Sequence, residues 1–72
     1  MKKFVLNKPY KVVGYAKDCE EKQKRRLCEF GFVRGETFFV SYKSLLGENY
    51  IVEIKGFVLS LKKSLLSVLE VV

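Results

Sequence analysis

Histidine is absent from this 72-residue chain. Without an imidazole, the Ser-His and Cys-His pairs that activate nucleophiles cannot be assembled. Only two cysteines are present, Cys19 and Cys28, and they form no CxxC pair. Two thiols without histidine make a poor zinc site. The glycine-rich strings that cradle phosphates, GxGxxG and GxxxxGK[ST], are missing as well. Divalent transition metals outside thiolate sites favour imidazole and carboxylate ligands. Carboxylates such as Glu29, Glu48 and Glu53 are present, but no spacing marks a site. The expectation is a protein with no catalytic residues, no metal site and no cofactor.

Long apolar runs are also absent. No stretch approaches the roughly eighteen apolar residues of a membrane span. The basic start MKKFVLNKPYK breaks at Asn7 and Lys8, too early for a secretory signal. These absences point to the cytoplasm, where thiols stay reduced. There is one proline and no repeat, linker or low-complexity segment. The length suits a single domain, residues 1–72, whose small size allows only about 60% of the unfolded surface to be buried.

What is present is apolar and basic. Hydrophobic residues make up 49% of the chain and aromatics 14%, enough to fill one compact core and to argue against disorder. The net charge is +6. Most cations are spread out, as on a solvated surface. The one close group is Lys22, Lys24, Arg25 and Arg26, with Asp18, Glu20, Glu21 and Glu29 around it. Such a group can steer docking to an acidic protein face or a membrane surface. Small barrels also bind single-stranded nucleic acid through basic grooves and aromatic platforms. Here the cations sit apart from the sheet aromatics, which argues against that use.

The pattern along the chain alternates between two periods. YKVVGYA, residues 10–16, reads as a first strand entered from Pro9. Residues 18–30 read as a helix with Asp18 as N-cap, Glu20 and Glu21 in the first turn and bases near the end. Cys19, Gln23, Leu27 and Phe30 share a face, with Leu27 and Phe30 as anchors and Gln23 at its edge. Gly31 suits the position after a helix end, followed by the apolar Phe32 and Val33. ETFFVSYK, residues 36–43, is a strand with Phe38, Val40 and Tyr42 on one face and Thr37, Phe39, Ser41 and Lys43 on the other. SLLGEN is a turn. YIVEIK, residues 50–55, turns Tyr50, Val52 and Ile54 one way and Ile51, Glu53 and Lys55 the other. After Gly56, FVLSLK points Phe57, Leu59 and Leu61 inward. KKSLLSVL offers a helical turn and LEVV a last strand. Short strands at regular spacing plus one helix imply a small antiparallel barrel, whose closure would remove exposed edges.

The segment RRLCEFGFVRGETFFV, residues 25–40, is the most recognisable part of the chain. It resembles the FeoA family, small cytosolic proteins associated with bacterial ferrous iron uptake. Arg26-Leu27 and Phe30-Gly31 match the family's first motif, and Gly35 its second glycine. Leu46-Gly47 matches the glycine turn. Gly56, Leu59, Leu61 and Lys62 match its last segment. Leu45 stands where the family often has proline, and Gln23 where it tends to be apolar. The resemblance implies a mainly β fold, an SH3-like β-barrel of about five strands with one helix inserted after the first. It makes Leu27, Phe30, Gly31, Gly35, Gly47 and Gly56 structural. It also implies an accessory of FeoB, the membrane ferrous iron permease with a cytosolic GTPase domain. Membrane association would then come only through that partner, with no small-molecule substrate. The candidate docking surface is the outward-facing Phe39, Ile51 and Val58, steered by Lys22, Arg25 and Arg26. The competing reading is a free-standing interaction domain related to the C-terminal domains of iron-dependent repressors, or a small barrel binding nucleic acid.

Overall fold

The computed structural model describes residues 4–72. Its elements run β1 (Tyr10–Tyr15), α1 (Glu21–Glu29), β2 (Thr37–Lys43), β3 (Asn49–Ile54), β4 (Phe57–Lys62), α2 (Lys63–Leu66) and β5 (Leu69–Val71). All neighbouring strands are antiparallel, in the order β4-β3-β2-β1-β5. The architecture is therefore the expected five-stranded, mainly β unit with a helix after the first strand.

The expected closure of the barrel is not found. β4 and β5 are the two ends of the sheet, and no ladder joins them. β5 is three residues long and pairs only with β1, while α2 takes up the chain between β4 and β5. The sheet curls without hydrogen-bonded closure, and the radius of gyration is still 11.0 Å. That is about what a fully compact chain of this length has.

Alternation places the core. Tyr50, Val52 and Ile54 of β3 are all buried, as are Phe38 and Val40 of β2. Tyr42 breaks the expected series and is 59% exposed. The β2–β3 register shifts between Val40 and Tyr42, so Ser41 is an extra residue and Tyr42 lies opposite Ile51. A bulge of this kind turns every later side chain to the other face. Phe57 also departs from its expected inward position and is 67% exposed. It pairs with buried Ile54 but is the first residue after the β3–β4 turn, whereas Leu61 farther along β4 is buried. Phe4, in the basic start of the chain, is buried. It packs edge-on against Tyr10 at 5.1 Å between ring centroids. An isolated parallel bridge, Leu6 to Val40, holds that segment against β2.

Helix α1 starts later than the sequence suggests. Its N-cap is Glu20, not Asp18. Gln23 decides this: its Oε1 accepts the Glu20 N–H at 2.9 Å. This is the N3-to-N-cap half of the pairing that defines a capping box. Gln23 thus serves the cap, which explains a polar residue on the inner stripe. At the other end, the Gly31 N–H donates to the Cys28 carbonyl at 3.0 Å, and the Phe32 N–H to the Leu27 carbonyl at 2.9 Å. These two bonds form a Schellman motif, with Leu27 and Phe32 as its apolar contact. Both side chains are fully buried. Val33, read as part of the same contact, is exposed instead.

Gly31 has φ +99°, where an L side chain is strained. A Cβ there would meet only the flexible Lys55 side chain, at 3.4 Å. The cost of Gly31→Ala is therefore conformational rather than steric. Urea unfolding is expected to show a loss of about 1–2 kcal/mol. A variant as stable as the wild type would contradict the motif.

Tyr15 ties the end of β1 to the end of the helix. Its phenol donates to the Phe32 carbonyl at 2.7 Å, and Cys28 Sγ lies 3.3 Å from the same oxygen. Burial first, and then the Cys28 contact, push the Tyr15 phenol up to about 12. An unfolded tyrosine ionises near pH 10. The unfolded state therefore loses this proton first, and the stabilisation is present below about pH 10 and lost as pH rises to about 12. Tyr15→Phe is expected to cost about 1 kcal/mol at neutral pH. The gap between wild type and variant should narrow through that alkaline window in thermal melts at stepped pH. A gap that stays constant or widens would contradict the assignment.

Candidate functional surface

Three strands position the expected docking residues. Cross-strand register sets Phe39 opposite Glu53, and Glu53 opposite Val58. Ile51 lies in the next row, between Tyr42 and Ser60. The four side chains Phe39, Ile51, Val58 and Tyr42 thus share the outer face of β2, β3 and β4. Phe39 and Ile51 are half-buried, whereas Val58 is 65% exposed. The expected apolar patch is interrupted, because Glu53 stands between Phe39 and Val58. A carboxylate in that place leaves the apolar side chains discontinuous across the three strands. A depression of about 310 Å³ beside this row is lined by Phe39, Glu53 and Lys55, among others.

The helix does not cover this face. It lies instead beside the other side of the β4 edge, where a groove of about 470 Å³ separates the two elements. Gln23, Arg26 and Phe30 line it from the helix, and Ser60, Leu61 and Lys62 from β4. Arg26 packs over the Phe30 ring at 5.5 Å from the centroid. Lys22 and Arg25 are exposed and do not line that groove. The structure therefore splits the expected site. Arg26 shares a groove with Ser60, whose β3 partner is Ile51. Lys22 and Arg25 lie outside that groove, although Lys22 is one turn from Arg26 on the helix.

The motif residues sit at turns and packing points. Leu27 is fully buried, and Phe30 caps the helix, partly covered by the core. Gly31 follows the helix and Gly35 precedes β2, its N–H bonded to the Val12 carbonyl at 2.7 Å. Gly47 lies in the β2–β3 turn. Gly56 completes the two-residue β3–β4 turn with Lys55, and both have positive φ, 79° and 52°. That is the primed hairpin geometry whose twist suits antiparallel strands.

Neither cysteine is bridged; Cys28 is exposed, and Cys19 is half-buried against the core. Burial, followed by the charge of Asp18, raises the Cys19 thiol above its ordinary value. Among the described residues, no group of three or more Cys, Asp and Glu is placed to hold a metal ion. No polar or charged residue among them is buried. Among the described residues, no helix is long and apolar enough to cross a membrane. The Tyr15–Cys28 contact escaped the sequence reading, since nothing in strand or helix periodicity brings residues 15 and 28 together.

Solved structures share this arrangement. A FeoA-like protein from Clostridium acetobutylicum superposes with a TM-score of 0.82 at 27% identity, over 93% of this chain and 76% of that one. FeoA of Stenotrophomonas maltophilia, solved in complex with zinc, gives 0.73 at 26% identity over 96% and 84%. That protein is described as a prokaryotic SH3 domain and a candidate ferrous iron transport activating factor. Iron(II) transport protein A of Clostridium thermocellum gives 0.84 at 22% identity, over 94% of this chain and 41% of its own length, a likeness of fold. No curated protein matches the chain by sequence. The FeoA domain model matches residues 5–72, nearly the whole sequence, and with the SH3-like fold now in place the chain belongs to the FeoA family.

Proposed function

We propose that this chain is a cytoplasmic, non-enzymatic accessory of bacterial ferrous iron uptake. It acts as a single FeoA-like unit that binds the cytosolic side of a FeoB-type permease and modulates it. The observation that carries this reading is the family match over residues 5–72. The S. maltophilia relative's description as a candidate ferrous iron transport activating factor supports a role in that transport. Binding works by mass action: the accessory favours whichever permease state it holds more tightly.

The docking surface in this proposal is the outer face of β2–β4. Phe39, Ile51 and Val58 supply apolar area, and Glu53 supplies one charged contact. Lys22 and Arg25 on α1, with Arg26 at the groove, steer the encounter with an acidic face. Half-buried aromatics such as Phe39 are common centres of binding energy.

The test is direct binding of the purified chain to the permease's cytosolic domain, without lipid. Phe39→Asp places a second carboxylate opposite Glu53 and is expected to weaken binding by about tenfold or more. Unchanged affinity in a variant that keeps its fold would remove this face from the interface. Lys22→Glu with Arg25→Glu is expected to slow association, most strongly at low salt, and to leave dissociation nearly unchanged.

A further inference from the structure

The turn between β2 and β3 carries the two most exposed large apolar side chains among the described residues. Leu45 is 99% exposed and Leu46 is 83% exposed. The turn that presents them is well held. Gly47 N–H donates to the Ser44 carbonyl at 2.9 Å, and Ser44 N–H to the Asn49 carbonyl at 2.8 Å. Asn49 N–H also donates to Ser44 Oγ at 3.1 Å. The leucines therefore project from a braced support.

Cations surround the base of this projection. Lys43 ends β2, and its ammonium lies 5.5 Å from the centre of the Tyr50 ring. Lys62 pairs with Asn49 across β3–β4, and the Lys63 N–H donates to the Glu48 carbonyl at 2.8 Å. Glu48 lines one depression with Lys62 and Lys63, so two cations stand beside that carboxylate. The sheet end has apolar side chains at its tip and ammonium groups behind them. That order matches an anionic bilayer, where the acyl region lies beneath a layer of negative headgroups.

We propose that the Leu45-Leu46 turn is a membrane-contact element. The leucines enter the interfacial layer of an anionic bilayer, while Lys43, Lys62 and Lys63 stay at the headgroups. A convex tip of two adjacent leucines needs no shaped cavity, so fluid lipid accommodates it. The contact is weak and reversible, no stronger than a single acyl chain gives, on the order of 10⁴ M⁻¹. It requires no protein partner and so stands apart from the permease reading.

The test is co-sedimentation of the full chain with vesicles free of protein. Equal parts of phosphatidylglycerol and phosphatidylcholine are compared with phosphatidylcholine alone, at low and raised salt. Binding is expected to the anionic vesicles and to fall with salt. Leu45→Ser with Leu46→Ser should lower the partition coefficient about tenfold or more without affecting the fold, because neither side chain is packed. Lys62→Gln with Lys63→Gln should lower it by a similar factor at low salt. No sedimentation with anionic vesicles at low salt would overturn the proposal. So would sedimentation that depends on the lysines while the serine variant binds as well as wild type, which is surface adsorption without insertion.

Discussion

The Phe32–Phe38 contact is the constraint on which the rest of this small fold depends. The two rings meet edge-on, 5.2 Å between centroids and 76° between planes. Phe32 arrives there because the helix ends one residue earlier in a left-handed glycine. Phe38 arrives there because β2 begins in the right phase. Phe38 also packs against Phe4 and Tyr10, at 5.8 and 6.0 Å. One ring thus gathers the chain start, β1 and the helix end onto β2. Aromatic pairs of this kind add about 0.5–1.5 kcal/mol each beyond area burial. In a chain with so small a core, and no buried polar group among the described residues to offset, such contacts are a large share of net stability.

Much of this was legible because its cause is local. The alternation of Tyr50, Val52 and Ile54 follows from strand geometry alone. The stop at Phe30-Gly31 follows from glycine's access to positive φ. The short helix in KKSLLSVL and the terminal strand were readable for similar reasons. The misreadings have causes that periodicity does not carry. Tyr42 turns outward because of a bulge, which is defined against β3 and not within β2. Phe57 is exposed because it sits at the turn end of β4, while Leu61 farther along the same strand is buried. Phe4, on which neither period bears, is buried because its segment bridges to Val40. The N-cap falls at Glu20 rather than Asp18, where Gln23 accepts the backbone N–H three residues before it.

The same divide governs the surface. Phe39, Ile51 and Val58 were identifiable as outward residues from periodicity. That Glu53 separates two of them depends on register across three strands, which periodicity does not give. The cations of residues 22–26 looked like one cluster in the sequence. On the helix only Arg26 of these lines the groove beside β4, while Lys22 and Arg25 are exposed outside it. FeoA membership adds the biological setting of iron transport, and the geometry adds which faces are free to meet something within it.

The pairing of the last strand with the first has a kinetic meaning. Tyr15 and Leu69 face each other across β1 and β5 although 54 residues separate them. The β2–β3 and β3–β4 ladders close over turns of a few residues. Loop-closure entropy grows with the length enclosed, so the terminal pairing carries the highest entropic barrier in the sheet. Three residues of β5 complete the fold by burying Leu69. The order of assembly is thereby written into the topology: the hairpins are the local part of the search, and the last strand docks onto what they have formed.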